Sequence, residues 1–203
     1  ELDTSLIEQA NALMQANNID INNVICHAPY IVNPATNDAI KSEFAVSFLK
    51  EEIHRCSVLG VTKMVLHPGS AVGQTRQEGL DNIVKVLDAL LDNPYNVKVL
   101  IETMAGKGNE CGINLGELKY IFTNVKDTSK LGVCLDTCHL NDSGVDIAKF
   151  DEYLAAFDKE IGLNRIGCVH VNDSKNPIGA RKDRHENIGI GTIGFENLLG
   201  VIY

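Results

Sequence analysis

Five residues able to bind a metal ion recur along the chain at nearly even intervals. His27, His67, Glu102, Asp136 and His170 are separated by 40, 35, 34 and 34 residues. Two shorter spacings add to them. His139 follows Asp136 by three residues, and Asp183 and His185 alternate within one loop. An extended segment points residues i and i+2 the same way. The candidates are therefore His27, His67, Glu102, Asp136, His139, His170, Asp183 and His185. Eight imidazole and carboxylate groups are too many for one tetrahedral ion and suit a cluster of two or three divalent ions. Imidazole with carboxylate and no thiolate favours zinc, with manganese or iron as alternatives. Such a cluster acts as a Lewis acid: it lowers the pKa of shared solvent and draws charge from an attacked group.

An interval of 34 to 40 residues is the length of one strand and one helix. Short Val-, Ile- and Leu-rich runs cover Asn23–His27, Lys63–His67, Val97–Glu102, Gly132–Asp136 and Ile166–His170, and each finishes on one of the five residues. They read as buried strands. Amphipathic stretches at Thr4–Gln15, Asp38–Leu59, Gln77–Leu91, Leu115–Val125 and Phe150–Ile161 read as helices, and a further helix is expected at Phe195. Asn37 precedes one helix, Gly60 closes it, and Gly162 closes a later one. Strands alternating with helices imply a parallel sheet covered by helices on its outside. With no low-complexity linker, residues 1–203 read as a single domain. In a βα barrel all strand C-terminal ends open on one face, so the five residues would converge there.

Composition narrows the alternatives. The 203 residues are 44% apolar and 22% charged, which excludes disordered and fibrous classes. No apolar run is long enough to span a membrane, and no signal peptide is apparent. Lys and Arg number 18 against 27 Asp and Glu, a formal charge of −9. This argues against a general polyanion binder but allows a local basic rim around a metal site. Six cysteines in a chain of this size read as reduced core thiols of a cytoplasmic protein.

Two other features carry plainer expectations. His54, beside Glu51, Glu52 and Arg55, reads as a solvated helix residue, and Glu51 and Glu52 as an exposed face. Gly189-Ile-Gly-Thr-Ile-Gly194 matches a dinucleotide-binding pattern but follows a charged segment, not a strand. A turn leading into the helix at Phe195 is expected instead.

In order, His67-Pro-Gly-Ser70, Ile101-Glu-Thr-Met-Ala-Gly106, Gly132-Val-Cys-Leu-Asp-Thr-Cys-His139, His170-Val-Asn-Asp-Ser-Lys175 and Asp183-Arg-His185 resemble the endonuclease IV family of apurinic/apyrimidinic endonucleases. The resemblance runs from about residue 4 to the end. It implies a TIM (β/α)8-type barrel, three zinc ions, and hydrolysis of double-stranded DNA 5′ to abasic sites to leave a 3′-hydroxyl. By motif, His27 and His67 would hold the first zinc, and Glu102 would bridge the first and second. Asp136 and His170 would complete the second; His139, Asp183 and His185 would hold the third. Glu102 would also be the catalytic group that holds the attacking solvent. Tyr30, three residues after His27, resembles the tyrosine that enters DNA near the lesion. In the loop Lys175–Arg184, the residues Lys175, Arg181, Lys182 and Arg184 could meet phosphates, as could Lys107 and Arg76.

The chain also departs from the family pattern. Five strands are expected against eight, so the barrel is read as incomplete, lacking two N-terminal strands and the eighth with its glutamate ligand. A fragment of a longer protein, impaired in activity, is expected. Met104, Lys107 and Ile190 are smaller departures. The protein is expected to be monomeric, with no membrane partner. Two rival readings are a metal-dependent sugar isomerase or epimerase on a similar barrel, and a non-catalytic zinc- and DNA-binding fragment.

Overall fold

The structure is a computed structural model and describes residues 3–203. Five parallel strands, β1 (Cys26–His27), β2 (Lys63–Leu66), β3 (Lys98–Glu102), β4 (Leu131–Asp136) and β5 (Ile166–His170), lie side by side in chain order. Helices α1 (Thr4–Ala16), α2 (Ala39–Leu59), α3 (Arg76–Leu91), α4 (Leu115–Asn124), α5 (Thr137–Ser143), α6 (Phe150–Glu160) and α7 (Phe195–Ile202) connect or flank them. The helices pack on one face of the sheet, where they bury the larger apolar cluster.

The local chemistry sets these boundaries. Asp38 caps α2 by accepting from the Lys41 amide, and Gly60 ends that helix with a left-handed φ of 80°. Thr75 and Glu78 form a reciprocal capping box at the start of α3. β1 is shorter than the run of apolar residues suggested: Ile21–Asn23 winds into a 3-10 turn, capped by the Asp20 side chain. Two elements escape any reading of hydrophobic period. One is the seven-residue α5. The other is a small antiparallel ribbon of β6 (Asp173–Ser174) and β7 (His185–Glu186).

Alternation along the strands sorts the core into two layers. Met64, Leu66, Val99, Ile101, Val133 and Leu135 belong to the large cluster packed with the helices, among Leu49, Ile53, Leu87, Leu118 and Phe157. Val65, Leu100 and Cys134 form a separate inner cluster with Ile25 and Cys168. Leu100 fills the space over two glycines: a Cβ at Gly132 or Gly167 would lie 2.7 or 2.5 Å from its Cδ2.

Period-two geometry then dictates where the strands end. His27, His67, Glu102, Asp136 and His170 each lie two residues after an inner residue: Ile25, Val65, Leu100, Cys134 and Cys168. All five therefore belong to the inner face, at its C-terminal rim. A register shift between β4 and β5 brings Asp136 level with His170 and Cys134 level with Cys168. Among the described residues no helix is long and apolar enough to cross a membrane.

Candidate metal centre

Glu102 ends β3 with 2% exposure and is the hub of the site. Its Oε2 lies 3.1 Å from His27 Nε2 and 2.9 Å from His67 Nε2. Its Oε1 lies 2.9 Å from His170 Nδ1 and 3.5 Å from His139 Nδ1. Burial alone would raise the Glu102 carboxyl; the His170, His27 and His67 imidazoles outweigh it and hold the group far below the usual carboxylate range. Asp136, fully buried at the end of β4, caps α5 by accepting from the His139 amide at 2.9 Å. The same cap places His139 in the first turn of that helix.

Two imidazoles have tautomers fixed by carbonyl oxygens, which can only accept. Nδ1 of His27 donates to the Ala28 carbonyl at 2.8 Å, and Nδ1 of His139 to the Thr103 carbonyl at 2.9 Å. In a neutral ring, Nε2 then presents a lone pair. His27 Nε2 faces Glu102 Oε2, and His139 Nε2 faces Asp183 Oδ1 at 3.1 Å. Lone pair against anionic oxygen is stable only with a positive charge between them, either a proton or a metal ion. Accordingly, the Glu102 carboxylate raises His27 above its ordinary value. Burial lowers His139, but Asp183 and its neighbours lift it to about 9. Asp136, with Cys168 and Glu102, pushes His170 up to about 12. His139 in turn lowers Asp183. Carbonyl-anchored rings with the opposite nitrogen turned toward carboxylates are an arrangement that suits metal ligation, so these residues fit a bound cation.

All eight candidates meet in one place. Three compact groups drawn wholly from the candidates have donor atoms within 4.8 Å of one another: His27, His67 and Glu102; Glu102, Asp136 and His139; and His139, Asp183 and His185; Asp136 and His185 form another with the Cys138 thiol. The first and third match the sets that the family resemblance implied. The middle group differs, with His139 beside Glu102 and Asp136. His170 remains close to both carboxylates, 2.9 Å from Glu102 and 3.7 Å from Asp136. Cys134 and Cys168 sit one layer below, in a further group with His170, so thiols are nearer the site than the carboxylate–imidazole pattern suggested.

Other expected residues fall at different distances from the centre. Tyr30 is 84% exposed and shares a groove with Asn33, His67, Ser70, Met104 and Glu110. Lys175, Arg181, Lys182 and Arg184 are exposed on the loop that the β6–β7 ribbon closes, and Lys175 also pairs with Glu186 at 3.7 Å. The Arg181 stem approaches Gly106, and Lys107 is near enough for its charge to lower Asp183. Arg76 is not a free phosphate contact: its guanidinium binds the Glu110 carbonyl and pairs with Glu117. His54 is not solvated. It is half-buried against the Tyr95 ring, and its Nδ1 is buried with no hydrogen-bond partner among the described residues. Glu51 is exposed as expected, but Glu52 is half-buried and bound to Arg55 at 2.6 Å. The glycine run is a turn into α7, as expected.

The sequence reading missed the residues that brace the site. Thr103 accepts the Asp136 amide with its hydroxyl and the His139 ring with its carbonyl. Thr137 exchanges hydrogen bonds with Asn172. Asn172, Asp142 and Asp173 complete the set, and only their place inside or beside the motif strings hinted at a role.

Comparison with known proteins bears on the fold and the family. The family model described as "Xylose isomerase-like TIM barrel" matches residues 1–202. A protein named "Probable endonuclease 4" from Acholeplasma laidlawii (strain PG-8A) is 51% identical over 205 residues, covering 100% of this chain and 70% of that protein. The chain spans 66–70% of the length of this and two further curated relatives of the same name. The crystal structure of endonuclease IV from Thermus thermophilus superposes with a TM-score of 0.81 at 31% identity, covering 100% of this chain and 71% of that one. A D-tagatose 3-epimerase-like protein superposes with a TM-score of 0.78 at 25% identity, covering 97% of this chain and 71% of that one. The chain belongs to the endonuclease IV family, within the xylose isomerase-like TIM barrels.

Proposed function

We propose that this chain carries the metal centre of a DNA-repair endonuclease that hydrolyses the phosphodiester 5′ to an abasic site in double-stranded DNA and leaves a 3′-hydroxyl. The observation that carries the reading is the run of three donor groups joined through Glu102 and His139. We assign His27, His67 and Glu102 to one ion, Glu102, Asp136 and His170 to a second, and His139, Asp183 and His185 to a third. Zinc is the favoured metal, because imidazole and carboxylate in a compact site suit it; manganese and iron are the alternatives. Bound divalent ions supply Lewis acidity, offsetting the charge that builds on the phosphate oxygens.

The chain's own residues do the remaining work. Glu102, kept anionic by its imidazoles, is the acceptor that orients a water proton at the rim. His139 and His27, held through Nδ1, cannot swing away from the rim. Lys107, Arg181, Lys182 and Arg184 form a cationic edge for the backbone of the substrate. Tyr30, exposed in a groove it shares with His67, would fill the gap left by a missing base. An abasic sugar has no base to unstack, so its extrusion costs less than that of an intact nucleotide. Residues 1–203 acting as one unit, a monomeric state and a reducing cytoplasmic setting belong to the same proposal; the six cysteines are free thiols.

The similarity to the D-tagatose 3-epimerase-like structure favours one second reading, a metal-dependent sugar epimerase. Such an enzyme has no use for the third group, His139, Asp183 and His185. Elemental analysis combined with incision of an abasic oligonucleotide, with and without chelator, tests the choice. Incision that chelator abolishes, with more than one ion bound, is expected. A single bound ion and sugar turnover without incision would establish the epimerase instead.

A further inference from the structure

Asp142 lies outside the donor groups, yet its carboxylate is fully buried and saturated with hydrogen bonds. Oδ1 accepts from Ser174 Oγ at 2.7 Å and Asn141 Nδ2 at 3.1 Å. Oδ2 accepts from Asn176 Nδ2 at 3.0 Å, from the Asp183 amide at 2.9 Å and from the Lys182 amide at 3.4 Å. The backbone beside it joins in: the Asp142 carbonyl accepts from the Arg181 amide and the Asn141 carbonyl from the Gly179 amide, each at 2.9 Å.

These bonds grip the loop where it is strained. Arg181 and Asp183 are not glycines, yet they have φ of 55° and 53°, in the left-handed region. Residues of this kind persist there only when their surroundings hold them. Both of their amides end on Asp142. The paired reversals turn the Asp183 carboxylate inward to His139 and His185, at 3.1 and 3.5 Å, while Arg181, Lys182 and Arg184 stay exposed. Asp136, His139 and Asp142 are three residues apart, on one side of α5. One short helix and its N-cap thus present two donors and the group that holds a third.

We propose that Asp142 is a positioning residue: it sets Asp183 against His139 and His185 and thereby assembles the third donor group. This rests on the metal-centre reading above, and the test separates the two. Zinc binding by the purified protein is titrated against chelators of graded affinity, for wild type, Asp142→Asn, Asp183→Ala and the double variant. Asp142→Asn is nearly isosteric but has one acceptor oxygen where the carboxylate has two, so it cannot serve the Asn141 side-chain amide and the Lys182 and Asp183 amides together. We expect it to weaken one ion at least tenfold and leave the others within twofold. The double variant should bind no more weakly than Asp183→Ala alone, which a merely structural role would not produce.

Amide exchange in the metal-free protein supplies a second readout. Lys182 and Asp183 should exchange at least tenfold faster in Asp142→Asn, with β3 and β4 unchanged. That comparison decides the latch even if wild type binds a single ion, a result that would count against the metal-centre reading alone. Unchanged exchange at Lys182 and Asp183, or additive losses in the double variant, would overturn the proposal.

Discussion

Asn172 Nδ2 donates to Asp136 Oδ2 at 2.6 Å. The bond crosses from the segment after β5 to the end of β4, and Thr137 locks it by exchanging hydrogen bonds with the Asn172 backbone. It leaves the buried Asp136 carboxylate one orientation, facing His170 and His185. Groups that orient metal ligands in this way typically change metal affinity by about 10–100-fold when removed. Asn172→Ala is therefore expected to lower zinc affinity within that range while the fold persists. Chelator competition and circular dichroism together check it; unchanged affinity would remove Asn172 from the site.

Glu102→Gln should cost about 10²-fold or more in abasic-site incision, because the neutral amide cannot serve three imidazoles as a carboxylate does. His54→Ala should leave incision unchanged. It removes a half-buried ring whose Nδ1 has no partner among the described residues, so any effect is confined to packing against Tyr95. Incision rates and thermal unfolding of both variants separate chemistry from stability. Equal rate losses would contradict this division of roles.

Protons and metal compete for the same lone pairs. In the metal-free protein His139 titrates at about 9, raised from its ordinary 6.5. A raised folded-state pKa stabilises the fold below the unfolded value of about 6.5, and that contribution is lost as pH rises through about 9. Chelated protein should thus lose stability between roughly pH 6.5 and 9, and zinc-loaded protein should lose less over that window. Denaturant titrations with and without chelator measure the difference. A metal-free stability that rose with pH through this window would reverse the assignment.

The cationic edge predicts a salt response. DNA affinity should fall with salt with a log–log slope of several units, and Lys182→Ala or Arg184→Ala should each reduce the slope by about one. Binding isotherms on an abasic duplex at a series of salt concentrations give this directly. A flat response would remove these side chains from the DNA contact.

Much of the centre is legible in the sequence. The five strand-end donors stand out because a βα unit has a regular length, and because each lies an even number of residues from an inner apolar residue. Period two then fixes its face. The supports did not stand out, because they bridge segments with no shared period. Asp142 meets Asp183 across 41 residues, and Asp173 meets Gly191 across 18. Short elements such as α5 and the β6–β7 ribbon are stabilised by those same bonds rather than by an apolar stripe. The settings of Arg76 and His54 are not legible for a related reason. A long cationic side chain and a helix histidine look alike in solvent and in a packed crevice until the neighbours are known.

The turn from Gly189 to Gly194 has the look of a phosphate cradle, and the fold explains why it does not act as one. The buried Asp173 carboxylate accepts from the amides of Gly189, Gly191 and Ile193 at 3.0 Å each, and from Gly194 at 3.4 Å. A Cβ at Gly191 would collide with that carboxylate. The nest carries its own tethered anion, so a free nucleotide finds the place already taken. A motif search would flag this loop as a receptor, whereas in the folded chain it is already a lock with its key cast in place.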